Sequence, residues 1–458
     1  MAIDQSQYQI TEFVISSERF PDQDLEIGPA LISELNIYEN IEYPYLTGNF
    51  LMRDDNGIRS AYGIYGNEEL TITIEGPVGS DIQPITKKFM ITKVEAGQRV
   101  SDRVSMDLYT IIEKHAYLNY IQKVSKKFEG KGESIIEKIM NDYFDMGYET
   151  KSALPSLQPA FRYIIPYQTP LDAIEMVRDR ITSPQGTPFF FYSTLRSDKL
   201  ILNDFETMFS SKPWNTYQRG TEYVYSQAGT NSSETDFFYI RNWSPLSLES
   251  VLNVAMDGAY GSHFQVLDVT SAGAYNYLYN SSKTLANLYE TGKLPGSIGK
   301  KIDNQALTVD DSLTIGKNDN VRKSVGEYKS KFYSTVAASK IYINSLDNYV
   351  NGYHDHSEDA GQYQKKLESK SLRNIMLRSV VNIDVAGAPY LQEERGVGNM
   401  IRVLVPLSST ADKGDTVIDQ KLSGDYLIYQ LRHVFTNEGY HTAGMNIVKV
   451  TNRESIAV

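Results

Sequence analysis

The chain has 458 residues, 41% hydrophobic and 22% charged; that balance supports roughly two to four domains with ordinary cores and excludes a disordered protein. The absence of cysteine excludes disulfides, thiolate metal sites and cysteine nucleophiles, and no apolar run approaches the roughly 20 residues of a membrane helix. A net charge of −12 argues against a surface that grips nucleic-acid phosphates throughout, and suits a wall past which a polyanion slides.

The start, MAIDQSQYQITEF, has neither a basic nor an apolar signal region, so no secretory signal is expected. Residues 1–29 read as a polar, irregular arm. Leu31 to Glu39 alternates as a strand, Tyr43-Pro44-Tyr45 breaks it, and Gly48 to Met52 begins another. Asp54-Asp55-Asn56-Gly57 is a turn signal. Leu70 to Glu75 alternates cleanly and Gly76-Pro77 stops it. A long hairpin follows, with Phe89, Ile91 and Val94 going out, Gly97 in the loop, and Met106, Leu108 and Ile111 returning. Residues 1–118 therefore read as a small all-β unit, barrel or sandwich.

The pattern then changes. Ile135, Ile136, Ile139, Met140 and Tyr143 have helical spacing with one apolar face. A second helix starts at Thr169 as cap and Pro170 at the first helical position, with Leu171, Ile174, Val177 and Ile181 on one stripe. Pro188 to Tyr192 and Leu200 to Leu202 flank Ser197-Asp198 as a buried hairpin. This predicts an α+β module over 119–215. From 216 to 375 the pattern is mixed. Tyr223, Tyr225 and Phe237 to Ile240 read as strand, and Ser244-Pro245 as the start of a helix with Leu248, Val251, Leu252 and Ala255 inward. Phe264, Val266 and the tyrosines of AYNYLYN read as strand, and 294–320 as an extended or flexible insertion. Gln362 to Arg378 reads as a helix, with Leu367, Leu372, Ile375 and Met376 inward. Strands Val380 to Gly387 and Met400 to Val405 follow.

The chain closes on SGDYLIYQLRHVFTNEGYHTAGMNIVKVTN, from Ser423 to Asn452. Tyr426, Ile428 and Leu431 lead to a polar loop at Asn437, Glu438 and Gly439, and Met445, Ile447 and Val450 return. Both arms repeat the i, i+2, i+5 spacing of the first hairpin. The late change of phase predicts a bulge or tight bend in each strand. By spacing alone, two unrelated hairpins and two copies of one barrel are both open.

SGDYLIYQLRHVF resembles the closing hairpin of the central baseplate hub proteins of contractile-tail (myovirus-type) phages. VSKKFEGKGESIIEKIM, IIPYQTPLDAIEMVRDRI and PFFFYS, in that order from Val124 to Ser193, are similar to the module that follows the first barrel in that family. The order from Leu367 to Asn452 is its most specific part; the N-terminal arm and residues 280–360 are unmatched. The resemblance implies a β-rich α+β fold: two tail-tube-like β-barrel domains with an intervening α+β module. The divisions expected are 1–118 (first barrel), 119–215 (module), 216–375 (part of the second barrel with a peripheral insertion) and 376–458 (the rest of the second barrel).

The resemblance further implies a homotrimer whose six barrels form a pseudo-sixfold ring joining the tail tube to the central spike. Its expected partners are tail tube or tube-initiator proteins, baseplate wedge proteins and a spike. The chain stops at Val458, soon after the second barrel, so the spike is expected as a separate protein, unlike the related type VI secretion spike proteins. Genomic DNA is expected to pass through the lumen without specific binding, with part of the negative charge facing it. The implied location is the virion baseplate, assembled in the host bacterial cytoplasm, with no membrane insertion and no cofactor.

Catalytic and metal chemistry is sparse. His354-Asp355-His356, with Glu358 and Asp359, is the most metal-like cluster, because His-x-His on a strand puts both rings on one face. No third distant ligand is indicated, so it reads as a polar loop. Gly130 to Ser134 lacks the phosphate-loop spacing. Asp54-Asp55 and Asp310-Asp311 are adjacent rather than opposed across a cleft. Lys123, Lys126, Lys127 and Lys131 form a small basic patch. His433 reads as a packed strand residue. The rival functions are a tail-associated peptidoglycan hydrolase using Glu137 or Glu175, the hub body of a type VI secretion-like spike, and a carbohydrate-binding tail-fibre sandwich.

Overall fold

In the computed structural model, residues 8–55, 57–76, 82–95, 97, 99–101, 104–151, 161–179, 181–183, 186–219, 238–247, 251–268, 273–290, 314–317, 321–324, 331–337, 360–392, 395–405 and 422–449 are described. The first part runs β1 (Gln9–Ser16), β2 (Leu25–Glu26), β3 (Ile32–Asn40), β4 (Thr47–Asp54), α1 (Ile58–Tyr62), β5 (Glu69–Glu75), β6 (Ile85–Glu95), β7 (Arg99–Ser101), β8 (Val104–Glu113) and α2 (Lys114–Ile121). The strands pair in the order β3-β4-β8-β6-β5-β1-β2. Alternation sends Leu35, Ile37, Phe50, Phe89, Ile91, Tyr109 and Ile111 into one buried cluster.

Three readings of this part are corrected. The N-terminal arm contains β1, paired with β5, and buries Phe13 and Ile15; a bulge between Ile10 and Glu12 disguises its alternation. On β8 the inward side chains are Tyr109 and Ile111, while Met106 and Leu108 are only half-buried. The register of β8 on β4 is continuous, so the phase change belongs to β6 alone, between Ile91 and Lys93. The turn expected at Asp54 leads into α1: its carboxylate accepts the Ile58 and Arg59 N–H groups at 2.8 and 3.1 Å.

The middle part comprises β9 (Val124–Gly130), α3 (Gly132–Tyr143), β10 (Tyr148–Thr150), β11 (Phe161–Gln168), α4 (Pro170–Arg178), β12 (Phe189–Tyr192), β13 (Leu200–Asp204) and α5 (Phe205–Ser210). Both expected helices form. Thr169 caps α4 by accepting the Asp172 N–H at 3.3 Å, and Pro170 needs no donor in the first turn. Ile135, Ile139, Leu171, Ile174 and Val177 meet the buried faces of β12 and β13 in a second cluster. No side chain caps α3, which begins at Gly132.

The last part holds β14 (Thr216–Arg219), β15 (Tyr239–Ile240), β16 (Asn242–Ser247), β17 (Gly261–Asp268), β18 (Gly273–Asn280), β19 (Thr314–Lys317), β20 (Val321–Ser324), β21 (Lys331–Ala337), β22 (Val380–Ala386), β23 (Met400–Leu404), β24 (Gly424–Thr436) and β25 (His441–Val448). Ser244-Pro245 lies in β16, paired with β22, and does not start a helix. The described helix spans Val251–Met256, and its Leu252 is 73% exposed rather than inward. β17 pairs with β18 and β21 in a separate three-stranded sheet, and the helix Ala360–Ile375 leads back to β22, burying Leu372 and Ile375. Within the 294–320 stretch, Thr314–Lys317 is a strand of a small hairpin with Val321–Ser324; the remainder, like Tyr223 and Tyr225, lies outside the described residues.

The two ends of the chain repeat one another. Strands β3-β4-β8-β6-β5 and β16-β22-β25-β24-β23 occur in the same chain order, with the same antiparallel neighbours at every step. The extra residue that bulges β6 is Thr92; the one that bulges β24, between Ile428 and Gln430, is Tyr429. This is the repeated spacing of the two hairpins, with the bulge confined to the outgoing strand. In the second copy the excursion from Ser247 to Val380 replaces the short β3–β4 connection. The two copies are not separate barrels. They share one open 15-stranded sheet, because β24 also pairs with β3.

Candidate functional site

The seam between the copies is where the structure concentrates unusual chemistry. Gln430 to Thr436 of β24 lies antiparallel to Asn40 to Glu34 of β3. On the core side of the seam, Glu39 and His433 are each 1% exposed by side chain and joined at 3.1 Å from Oε1 to Nε2. The same carboxylate accepts the Leu195 N–H at 2.7 Å and the Val397 N–H at 3.0 Å. One buried carboxylate thus ties the β12–β13 turn and the loop before β23 to the seam, and its bonds offset the cost of burying it.

His433 continues the chain of bonds. Its Nδ1 is 3.1 Å from Nε2 of His441 on β25. With His433 Nε2–H donating to Glu39, His433 Nδ1 and His441 Nε2 share one proton between them. That leaves His441 Nδ1 without a hydrogen-bond partner, packed under Gly387, where an added Cβ would lie 2.3 Å away. The His441 ring stacks on Phe435 at 4.3 Å. Burial, then the neighbouring His433, pushes its pKa well below the ordinary histidine value.

The β12–β13 turn adds two further ties. Arg196 donates from Nη1 to the Gln83 and Leu391 carbonyls at 2.9 and 2.8 Å, reaching both copies at once. Lys87, buried on β6, donates to the Ser197 carbonyl and lies 3.7 Å from Glu113. The expected Ser197-Asp198 turn is therefore a wedge between the two halves.

The opposite face of the seam is polar. Asn36 donates to Asn49 at 2.9 Å, Asn382 to Asn446 at 2.9 Å, and Asn446 to Gln430 at 2.6 Å, forming amide ladders across strands. Arg432 donates to Asn36 at 3.0 Å with its guanidinium over Tyr38. An open groove of about 490 Å³ runs along this face, lined by Tyr38, Asn382, Asp384, Gln430, Arg432 and Asn446 among others. Its donors and acceptors largely satisfy each other, so it offers solvent a mostly neutral polar surface with few vacant strong sites.

The other sequence candidates do not converge. His354, His356 and the acidic residues around them, and Asp310-Asp311, lie outside the described residues. Among the described residues no group of three or more His, Cys, Asp or Glu is arranged to hold a metal ion. Glu137 is exposed on α3, and Glu175 on α4 pairs with Arg178 at 2.7 Å. In the basic patch, Lys126 pairs with Asp142 at 2.8 Å and Lys127 with Glu129 at 3.8 Å. Sequence reasoning placed His433 in a packed strand but missed Glu39, whose partner is 394 positions away. The only local signal was a carboxylate at an inward position of an alternating strand.

No family model matches the chain, and no curated protein matches it. Solved structures that match over almost the whole length include the tail protein from Neisseria meningitidis MC58, at 9% identity and a TM-score of 0.53, covering 98% of both chains. They also include the 43 kDa tail protein of prophage MuSo2 from Shewanella oneidensis, at 9% identity and a TM-score of 0.50, covering 97% of this chain and 99% of that one. At such identity the likeness is one of architecture: a β-rich chain with this order of strands and helices has the fold of phage tail proteins.

Proposed function

We propose that the chain is a structural hub protein of a phage contractile-tail baseplate, three copies forming a pseudo-sixfold ring between the tail tube and a separate central spike. The observation that carries this reading is the five-strand unit repeated within one chain and joined edge to edge. Two such units per chain give six per trimer, a physical way to match a sixfold tube to a threefold spike. The likeness to phage tail structures supports it. In this reading the four divisions 1–118, 119–215, 216–375 and 376–458 are first unit, module, insertion-bearing segment and remainder of the second unit.

The amide-laddered face is assigned to the channel. Neutral, mutually satisfied side chains give passing DNA little to hold. Glu34 and Asp384 on this face are balanced in part by Arg432, which leaves a small net negative charge facing the channel. Exposed tyrosines such as Tyr43, Tyr65, Tyr120 and Tyr167 suit contacts with tube, wedge or neighbouring hub chains. The role is structural rather than catalytic, in the virion baseplate after assembly in the host cytoplasm. Light scattering after size exclusion, with negative-stain images of the same peak, tests it. A three-chain ring with a central hole is expected; a monomer at high concentration refutes the ring. Clearing of bacterial cell wall in a zymogram would overturn the structural role.

A further inference from the structure

The groove on the polar face of the seam is more ordered than a neutral lining requires. Asn382, Asn446, Gln430 and Asn40 stand opposite one another on β22, β25, β24 and β3, so their side chains form one row. Bonds within the row run one way, from Asn382 to Asn446 and from Asn446 to Gln430. Each amide has two N–H groups and an oxygen. The row therefore ends on unused groups: the Asn382 Oδ1 acceptor on one side and the Gln430 Nε2 donor on the other, neither with a hydrogen-bond partner among the described residues.

Two residues along, Asp384, Gly444, Arg432 and Tyr38 form the next row. Gly444 has no side chain, so a depression lies between Asp384 and Arg432, whose backbones are roughly 10 Å apart at the usual strand spacing. A Cβ on Gly444 would come 3.0 Å from Asp384 Oδ1, so that oxygen leans over the depression. Asp384 Oδ2 accepts from Asn242 at 3.0 Å, while Oδ1 has no hydrogen-bond partner among the described residues. Tyr43 and Tyr45 line the same groove, their rings stacked at 5.9 Å and Tyr43 53% exposed.

A polyanion finds no spare cation here, because Arg432 is engaged by Glu34 and Asn36. A strand-like peptide finds no free backbone, because β22, β25, β24 and β3 are each paired on both sides. What fits is a group that donates and accepts at once. A hydroxyl gives its hydrogen to Asp384 Oδ1 or Asn382 Oδ1 and takes one from Gln430 Nε2, while the C–H face of a sugar ring lies on a tyrosine. We propose that the groove binds a neutral oligosaccharide, with Asp384, Asn382 and Gln430 bonding its hydroxyls around the Gly444 depression and Tyr43 and Tyr45 stacking a ring. Its volume of about 490 Å³ falls among small-molecule sites, which span ~300–1,000 Å³. The site goes beyond the hub function and does not depend on it. The lack of surplus positive charge that lets DNA pass is also what suits the groove to an uncharged sugar. An open groove with few unused polar groups gives weak binding, with a Kd of about 1 mM.

Saturation-transfer NMR titrations of the full-length chain with maltotetraose and with tetra-N-acetylchitotetraose test the site. Saturable binding of at least one sugar is expected; binding of the second alone adds the acetamido group to what the groove recognises. Asp384→Asn keeps the size of the side chain and an acceptor for Asn242 but turns a donor toward the depression, and is expected to weaken binding about tenfold. Tyr43→Ala, at an exposed position, is expected to do the same, and Tyr65→Ala, an exposed tyrosine outside the groove, to leave it unchanged. Urea midpoints equal to wild type separate lost binding from lost folding. No saturable binding of either sugar up to its solubility, or equal binding by wild type, Asp384→Asn and Tyr43→Ala, overturns the site. A monomer that binds sugar overturns the ring and leaves the groove standing; a trimeric ring that binds none overturns the groove alone.

Discussion

His441 sets an acid limit on the seam. Its ring is fully buried, its Nε2 is taken by His433 and its Nδ1 has no hydrogen-bond partner. A second proton would stand at Nδ1 under Gly387 with nothing to receive it. The unfolded chain binds that proton at about pH 6.5, whereas the folded chain resists it. Because the folded value is depressed, the unfolded state binds more protons as the pH falls. The native state is thus undiminished above about pH 6.5 and loses about 1.4 kcal/mol per pH unit below it, until the folded value is reached. From pH 7.5 to 5.0 the unfolded value caps this loss at about 2 kcal/mol. His441→Phe isolates the effect, since it keeps an aromatic ring on Phe435 and binds no proton. Urea unfolding followed by fluorescence, in both proteins at steps across this range, reads the difference. Wild type is expected to lose stability relative to the variant as the pH falls below about 6.5, by at most about 2 kcal/mol at pH 5.0. Parallel pH profiles would refute the reasoning.

Two substitutions test the rest of the architecture. Gly48 allows β4 to approach β3 closely: a Cβ there would lie 2.5 Å from the Asn36 carbonyl and 3.1 Å from Ile111. Gly48→Ala is expected to cost about 1–3 kcal/mol by forcing the strands apart, and an unchanged urea midpoint contradicts it. Val381 holds the equivalent place in the second copy, so the demand for glycine belongs to the first copy alone. Thr169→Ala removes the cap of α4 and is expected to lower stability by about 1 kcal/mol, with Thr169→Ser retaining most of it. Equal thermal midpoints for the Ala and Ser variants reject the cap.

Local chemistry made much of this chain legible. The strand alternation of Leu70 to Glu75, the Thr169-Pro170 helix start and the shifted phase of both long hairpins are written within a few residues, because side-chain period and capping are properties of neighbours in sequence. Local pattern misled at β1, where a bulge broke the alternation, and at β16, where a proline suited to a strand edge looked like a helix start. Only the tertiary structure decided that the two copies share one sheet. The β24–β3 ladder, the Glu39–His433 pair and the Arg196 bridge join residues far apart in the chain, and nothing local marks which strand edge will accept which. The sequence by itself determined the strands, helices and bulges; long-range backbone pairing, and the burial of polar groups it makes tolerable, determined the seam.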